Sequence, residues 1–207
     1  GDLESMAAML PLAAKYGTGL IILALDGNGI SDDPTCRAET AIRIADAAAE
    51  LGIQDVFIDC LAMAASVSPA SAMATPEAIR LVRQAGYRTI LGVSNVSHGL
   101  PHRDAVNCTY LAACLAAGLN IAIVNTSSQQ IMDTIDAARL LIGEDPGCAA
   151  YITRHGSPTQ GTTISNAPQA NLGELILSGK KGLVPEAVVD LLQRTAPLEI
   201  INSHIIP

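Results

Sequence analysis

Four short apolar runs punctuate the chain: Leu20–Leu25, Val56–Ile58, Thr89–Leu91 and Ile121–Val124. Their starts lie 32 to 36 residues apart, the length of a strand followed by a helix. Each run gives way to polar or glycine-rich residues and then to a helical pattern. From Pro34 to Leu51 the apolar positions fall at Ala38, Ala41, Ile42, Ala45 and Ala48, and Leu3–Tyr16 and Arg103–Ala117 read the same way. Asp33–Pro34 and Thr75–Pro76–Glu77 have the residue types of helix starts: a capping oxygen, a proline in the first turn and, in the second, an early acid. The alternation predicts an α/β fold with a parallel sheet covered by helices. Four such units are half of what a closed eightfold barrel needs, and the first residues already read as a helix with no strand ahead of it. The expectation is a chain that starts in the middle of a fold.

After Gln129–Ile142 the texture changes. "HGSPTQGTTISNAPQ", 155–169, has no periodicity, so a linker is expected over 154–170. Residues 171–207 give three short helical segments broken at Gly179–Gly182 and at Pro197. They cannot extend the sheet and are expected to open a separate helical domain.

Composition narrows the picture. About half of the 207 residues are apolar and 15% are charged, which excludes disorder over most of the chain. A net charge of −8 argues against nucleic acid or an anionic membrane as partner, since either favours a basic face. No apolar run reaches membrane-spanning length and no signal peptide is evident. The five cysteines form no CxxC pair and mostly sit in apolar runs, so reduced, buried thiols in the cytoplasm are expected. No metal site is expected, because His98 and His102 have no third ligand at suitable spacing.

In parallel α/β folds the reacting groups sit at the carboxyl ends of strands. That rule selects Asp26, Asp59, Ser94–Asn95 and Asn125. Asp26 and Asn125 equally suit turns or helix caps, and "DGNG" is good turn chemistry. Asp59 lies tight against an apolar strand where no turn motif calls for it, so its carboxylate is expected to take donors from a ligand. Most unusual is "TILGVSNVSHGLPHR", Thr89–Arg103, a buried strand that ends in a run of small hydrogen-bonding groups.

"FIDCL" followed by "LGVSNVSHGLPHR" and "NCTYLAACLAAGLNIAIVN" resembles the pterin-binding barrel of corrinoid-dependent methyltransferases. That group comprises the folate domain of cobalamin-dependent methionine synthase and the methyltetrahydrofolate:corrinoid/iron–sulfur-protein methyltransferase. "LPLAAKYGTGLIILALDGNGI", Leu10–Ile30, matches the fifth unit of that barrel, and the likeness runs from about Asp2 to Ile152. The tail from Asn171 is similar to the first helices of the cap that precedes a cobalamin-binding domain, "PLEIINSHIIP" being the closest stretch.

The resemblance implies the C-terminal half, strands five to eight, of a pterin-binding (β/α)8 TIM barrel over 1–153, with the start of a cap over 171–207. It implies methyl transfer from 5-methyltetrahydrofolate to a cob(I)alamin centre held by another domain or protein. By position, Asp59 would accept from the amino and ring N–H edge of the pterin, and Asn95 would lie beside N5 as the catalytic residue. Ser94, His98 and Arg103 complete the implied substrate contacts; His98 stands where the corrinoid/iron–sulfur enzyme has Gln, and Arg103 matches the family's Arg. An amide suits N5, because it both donates and accepts as that nitrogen takes on a proton or a strong hydrogen bond. Cys60 replaces a usual Pro and His102 a usual Asn. The first four strands, which supply another Asp and an Asn to the pterin, are absent, as is the "DxHxxG" motif that ligates cobalt. A pterin barrel of the dihydropteroate synthase type, and a non-catalytic fragment, remain alternatives on the sequence. Self-association to cover exposed sheet edges is a further expectation.

Overall fold

The structure, a computed structural model, describes residues 3–156, 172–177, 179 and 182–204. The chain divides into two compact units, Gly1–His155 and Gly156–Pro207.

In the first unit the four apolar runs are strands: β1 Leu20–Leu23, β2 Val56–Asp59, β3 Arg88–Gly92 and β4 Ile121–Ile123. They form one sheet in the order β1-β2-β3-β4, every pair parallel. Six helices accompany them: α1 Leu3–Tyr16, α2 Pro34–Glu50, α3 Pro69–Gln84, α4 Arg103–Ala116, α5 Gln129–Leu141 and α6 Ala149–His155. The Asp33 carboxylate accepts from Thr35 N at 2.8 Å and caps α2, as the sequence predicts.

Register explains how the sheet is covered. Leu20, Ile21, Ile22 and Leu23 lie beside Val56, Phe57, Ile58 and Asp59, and Ile58 lies beside Thr89. Side chains alternate along a strand, so Ile22, Ile58, Thr89 and Leu91 share one face; all four are buried under the helices. The opposite face carries Ile21, Leu23, Ile121 and Ile123, which are 59%, 44%, 39% and 57% exposed. A doubly wound sheet reverses its strand order and carries helices on both faces. This sheet advances in sequence order under helices on one face, as a TIM-barrel wall does.

Two boundaries differ from the sequence reading. The third helix starts not at Thr75–Pro76 but at Pro69, where the Ser68 hydroxyl accepts from Ser71 N at 3.2 Å. Thr75 cannot cap, because its hydroxyl is engaged in the interior, and Pro76 is tolerated inside the helix at the cost of one backbone bond. Helix α6 runs through His155, two residues into the stretch expected as linker; 157–170 lie outside the described residues. The thiols differ too: Cys60 and Cys114 are buried, while Cys36 and Cys148 are exposed. Burial pushes the Cys60 and Cys114 thiols up to about 12 each, which keeps both protonated.

The second unit holds α7 Leu172–Leu177, α8 Val184–Leu192 and α9 Pro197–His204, with prolines in the first turns of α8 and α9. Among the described residues no helix is long and apolar enough to cross a membrane.

Candidate functional site

At the carboxyl end of β2 the Asp59 side chain is half-buried. Its Oδ1 accepts from Leu61 N at 2.8 Å, and among the described residues Oδ2 has no partner. A turn does use this carboxylate, contrary to the sequence reading. The reason is Leu61, which adopts the left-handed conformation at φ 62°. Leucine pays roughly 1–2 kcal/mol there, so surrounding bonds must hold it. Burial raises the Asp59 carboxyl above the usual carboxylate range, and the Leu61 N–H opposes that shift. One oxygen is thus fixed and the other is free for a donor.

Beyond β3 the run of small polar residues forms a 3-10 turn, Val93–Ser97. Val93, Val96 and Ser97 point inward, leaving Ser94 and Asn95 exposed. The Asn95 side chain makes no hydrogen bond among the described residues, and neither does that of His98. Arg103, at the start of α4, reaches back: Nε donates to Ser97 Oγ at 3.0 Å and Nη2 to Ser94 O at 3.0 Å. Arg103 therefore braces the turn that presents Asn95. The loop after β2 is stitched to the same turn, with Ala65 N donating to Val96 O at 2.9 Å and Ser66 Oγ to His98 O at 2.7 Å. Asp59 and the Asn95 turn occupy neighbouring strand ends and are held together by backbone and hydroxyl bonds.

Other candidates do not join them. Asp26 Oδ1 accepts from Asn28 N at 2.8 Å and Asn125 Oδ1 from Ser127 N at 3.0 Å, so each closes its own turn. His102 adopts φ 50°, ψ 44° and makes no side-chain cap to α4. Asn and His are among the non-glycine types enriched in that region, which accounts physically for a His where the resembled family has Asn. His102→Asn is expected to shift stability by less than about 0.5 kcal/mol and His102→Val to cost about 1–2 kcal/mol. Thermal unfolding of both variants checks this, and equal losses would show that backbone conformation does not select the residue.

Sequence reasoning missed Arg37. It is 1% exposed on the inner face of α2, and its guanidinium makes no ion pair among the described residues. Burial lowers its pKa from the ordinary value, while Tyr110, Cys60 and Asp32 work in the other direction. The signal was present: Arg37 stands in the apolar stripe that continues through Ala41, Ile44, Ala45 and Ala48, where a cation is out of place.

Comparison with known proteins shows the family of the chain. Residues 2–125 match the family described as pterin binding enzyme. The chain is 26% identical to methionine synthase of Mycobacterium tuberculosis over 238 aligned residues, covering 100% of this chain and 20% of that protein. It is 32% identical to methionine synthase of Mycobacterium leprae, over 57% of this chain and 11% of that protein. Identity to the methylcorrinoid:tetrahydrofolate methyltransferase of Eubacterium limosum is 26%, over 73% of this chain and 58% of that protein. The chain thus spans between about a tenth and three-fifths of the length of these relatives. With the family match covering more than half of its residues, the chain belongs to the pterin binding enzymes, and its likeness within them is to the pterin-binding domain of corrinoid-dependent methyltransferases.

Proposed function

We propose that the first unit is the C-terminal half, strands five to eight, of a pterin-binding barrel that moves a methyl group between 5-methyltetrahydrofolate and a corrinoid. The observation that carries this reading is the pairing of a carboxylate oxygen and a carboxamide, both without a hydrogen-bond partner among the described residues, on adjacent, stitched strand ends. Asp59 Oδ2 would accept from the pterin's amino and ring N–H edge. Asn95 would face N5, with Ser94, His98 and Arg103 around it; Arg103 acts chiefly by fixing the turn.

As the N5–CH3 bond breaks, its electron pair stays on nitrogen, and N5 needs a proton or a strong hydrogen bond. A carboxamide meets that need without titrating, by turning its donor or its acceptor to the nitrogen. The same wall serves methyl transfer in either direction, because both directions share one transition state. The corrinoid supplies the centre that takes or gives the methyl group. Another domain or a separate protein would hold it, since this chain lacks the motif that ligates cobalt. The alignment of one relative, methionine synthase of Mycobacterium tuberculosis, across the whole chain supports reading the second unit as the opening of a helical cap. Five unpaired cysteines support a cytoplasmic setting.

Mixing the full-length protein, in which the barrel of which this chain is proposed to be one half is complete, with cob(I)alamin and 5-methyltetrahydrofolate should give the absorbance change of methyl transfer. Pterin binding without that change would remove the corrinoid from the reading and leave a barrel of the dihydropteroate synthase type. Asp59→Asn should weaken pterin binding, because the amide places a donor where the ligand also donates. Loss of a charge-assisted pair costs about 1.5–3 kcal/mol. Calorimetric titration checks it, and unchanged affinity would leave Asp59 only its turn.

A further inference from the structure

We propose that Arg37 is the positioning residue for the Asp59 carboxylate and acts through the backbone of Leu61. The contacts form one continuous path. Arg37 Nε and Nη2 both donate to Ser31 O, at 2.9 and 2.7 Å, which fixes the guanidinium to the loop after β1. On its other edge Nη1 donates to Thr75 Oγ1 at 2.9 Å, to Leu61 O at 3.3 Å and to Cys60 O at 3.4 Å. Nη2 also donates to Ser71 Oγ at 3.2 Å. Thr75 Oγ1 in turn donates to Leu61 O at 2.9 Å. The Leu61 carbonyl is thereby held from two sides. With its carbonyl pinned and φ positive, the Leu61 N–H is turned to Asp59 Oδ1.

Among the described residues every acceptor of this buried cation is neutral, a backbone carbonyl or a hydroxyl, and none is a carboxylate. A fully desolvated guanidinium is a costly way to hold a scaffold together, and an apolar side chain usually serves packing better. What an apolar residue cannot do is collect five N–H donors in one rigid plane and span three segments. The segments tied are the loops that follow β1 and β2 and the first two turns of α3, at the rim where Asp59 sits. Without the tie, Leu61 relaxes from its left-handed conformation, its N–H leaves Asp59, and the free oxygen loses its direction.

The effect on affinity rests on the pterin reading of Asp59; the effect on Asp59 itself does not, and the experiment separates the two. Arg37→Lys keeps the charge but loses the fork, and Thr75→Val removes one hydroxyl at nearly constant shape. In each variant the Asp59 carboxyl is titrated by carbon-13 NMR without ligand, its signal assigned with Asp59→Asn. Its pKa should rise, because the Leu61 N–H that favours the carboxylate is lost while burial stays. Affinity for 5-methyltetrahydrofolate should fall roughly 10-fold in Arg37→Lys and about 3-fold in Thr75→Val. In an Asp59→Asn background the further loss should be under about 2-fold, since residues acting through one group are not additive. An unmoved Asp59 titration, or a full loss of affinity in the Asp59→Asn background, would overturn the proposal. If the wild-type full-length protein, with its barrel complete, binds no methyltetrahydrofolate, the pterin reading fails and the titration alone decides the role of Arg37. If Arg37→Lys does not fold, Thr75→Val carries the test.

Discussion

Asn95→Ala in the intact protein is expected to slow methyl transfer by roughly 30- to 1,000-fold while leaving methyltetrahydrofolate affinity within about 3-fold. The asymmetry follows from where the charge appears. In the ground state N5 is a weakly basic tertiary amine, and a hydrogen bond to it adds little beyond what water gives. As the methyl group leaves, electron density builds on nitrogen, and a fixed dipole aimed at it contributes about 2–4 kcal/mol to the barrier. The Asn95 amide is suited to that task because its turn is held rigidly, by Arg103 from one side and by Ala65 and Ser66 from the other. Little reorganisation is then needed as the charge develops. Single-turnover kinetics beside equilibrium binding separate the two effects. Equal losses in rate and affinity would make Asn95 an ordinary ground-state contact.

The elements were legible because burial imposes period. Runs such as Val56–Ile58 could only be strands between helical stripes, and Asp33 could announce α2 because its oxygen serves only its own helix. Thr75 misled for the converse reason. Its hydroxyl suits a cap, but Arg37 and Leu61, distant in sequence, claim it, and Ser68–Pro69 carried the same signature seven residues earlier. Asp59 and Asn95 were legible as strand-end polar residues. The Asx turn at Asp59 was not, since nothing local marks a leucine for positive φ; the tertiary bonds to its carbonyl impose it. The Ala65–Val96 and Ser66–His98 bonds that unite the two loops involve mostly backbone groups, which every residue type carries.

The 207-residue chain by itself is expected to self-associate and to show no methyl transfer. The reason is the face of the sheet opposite the helices. Ile21, Leu23, Ile121 and Ile123 project from it into solvent, and Phe57 is half-buried with the Arg88 guanidinium 4.1 Å from its ring centre. The four aliphatic residues lie on both outer strands, and among the described residues β1 and β4 each pair with a single neighbour. Apolar surface beside unpaired backbone is a template for another chain. Burying one such aliphatic side chain is worth about 1.5–3 kcal/mol, so a few of them suffice to drive association at micromolar concentration. A pair of copies would cover the apolar face but would set Asp59 against Asp59 and Asn95 against Asn95, without complementary pterin contacts from other strands. Light scattering behind size exclusion, over a tenfold range of concentration, reads the association directly. Ile21→Lys combined with Ile123→Lys, one charge on each outer strand, should return the chain toward monomer. A monodisperse wild-type monomer that turns over methyltetrahydrofolate would refute the half-barrel reading.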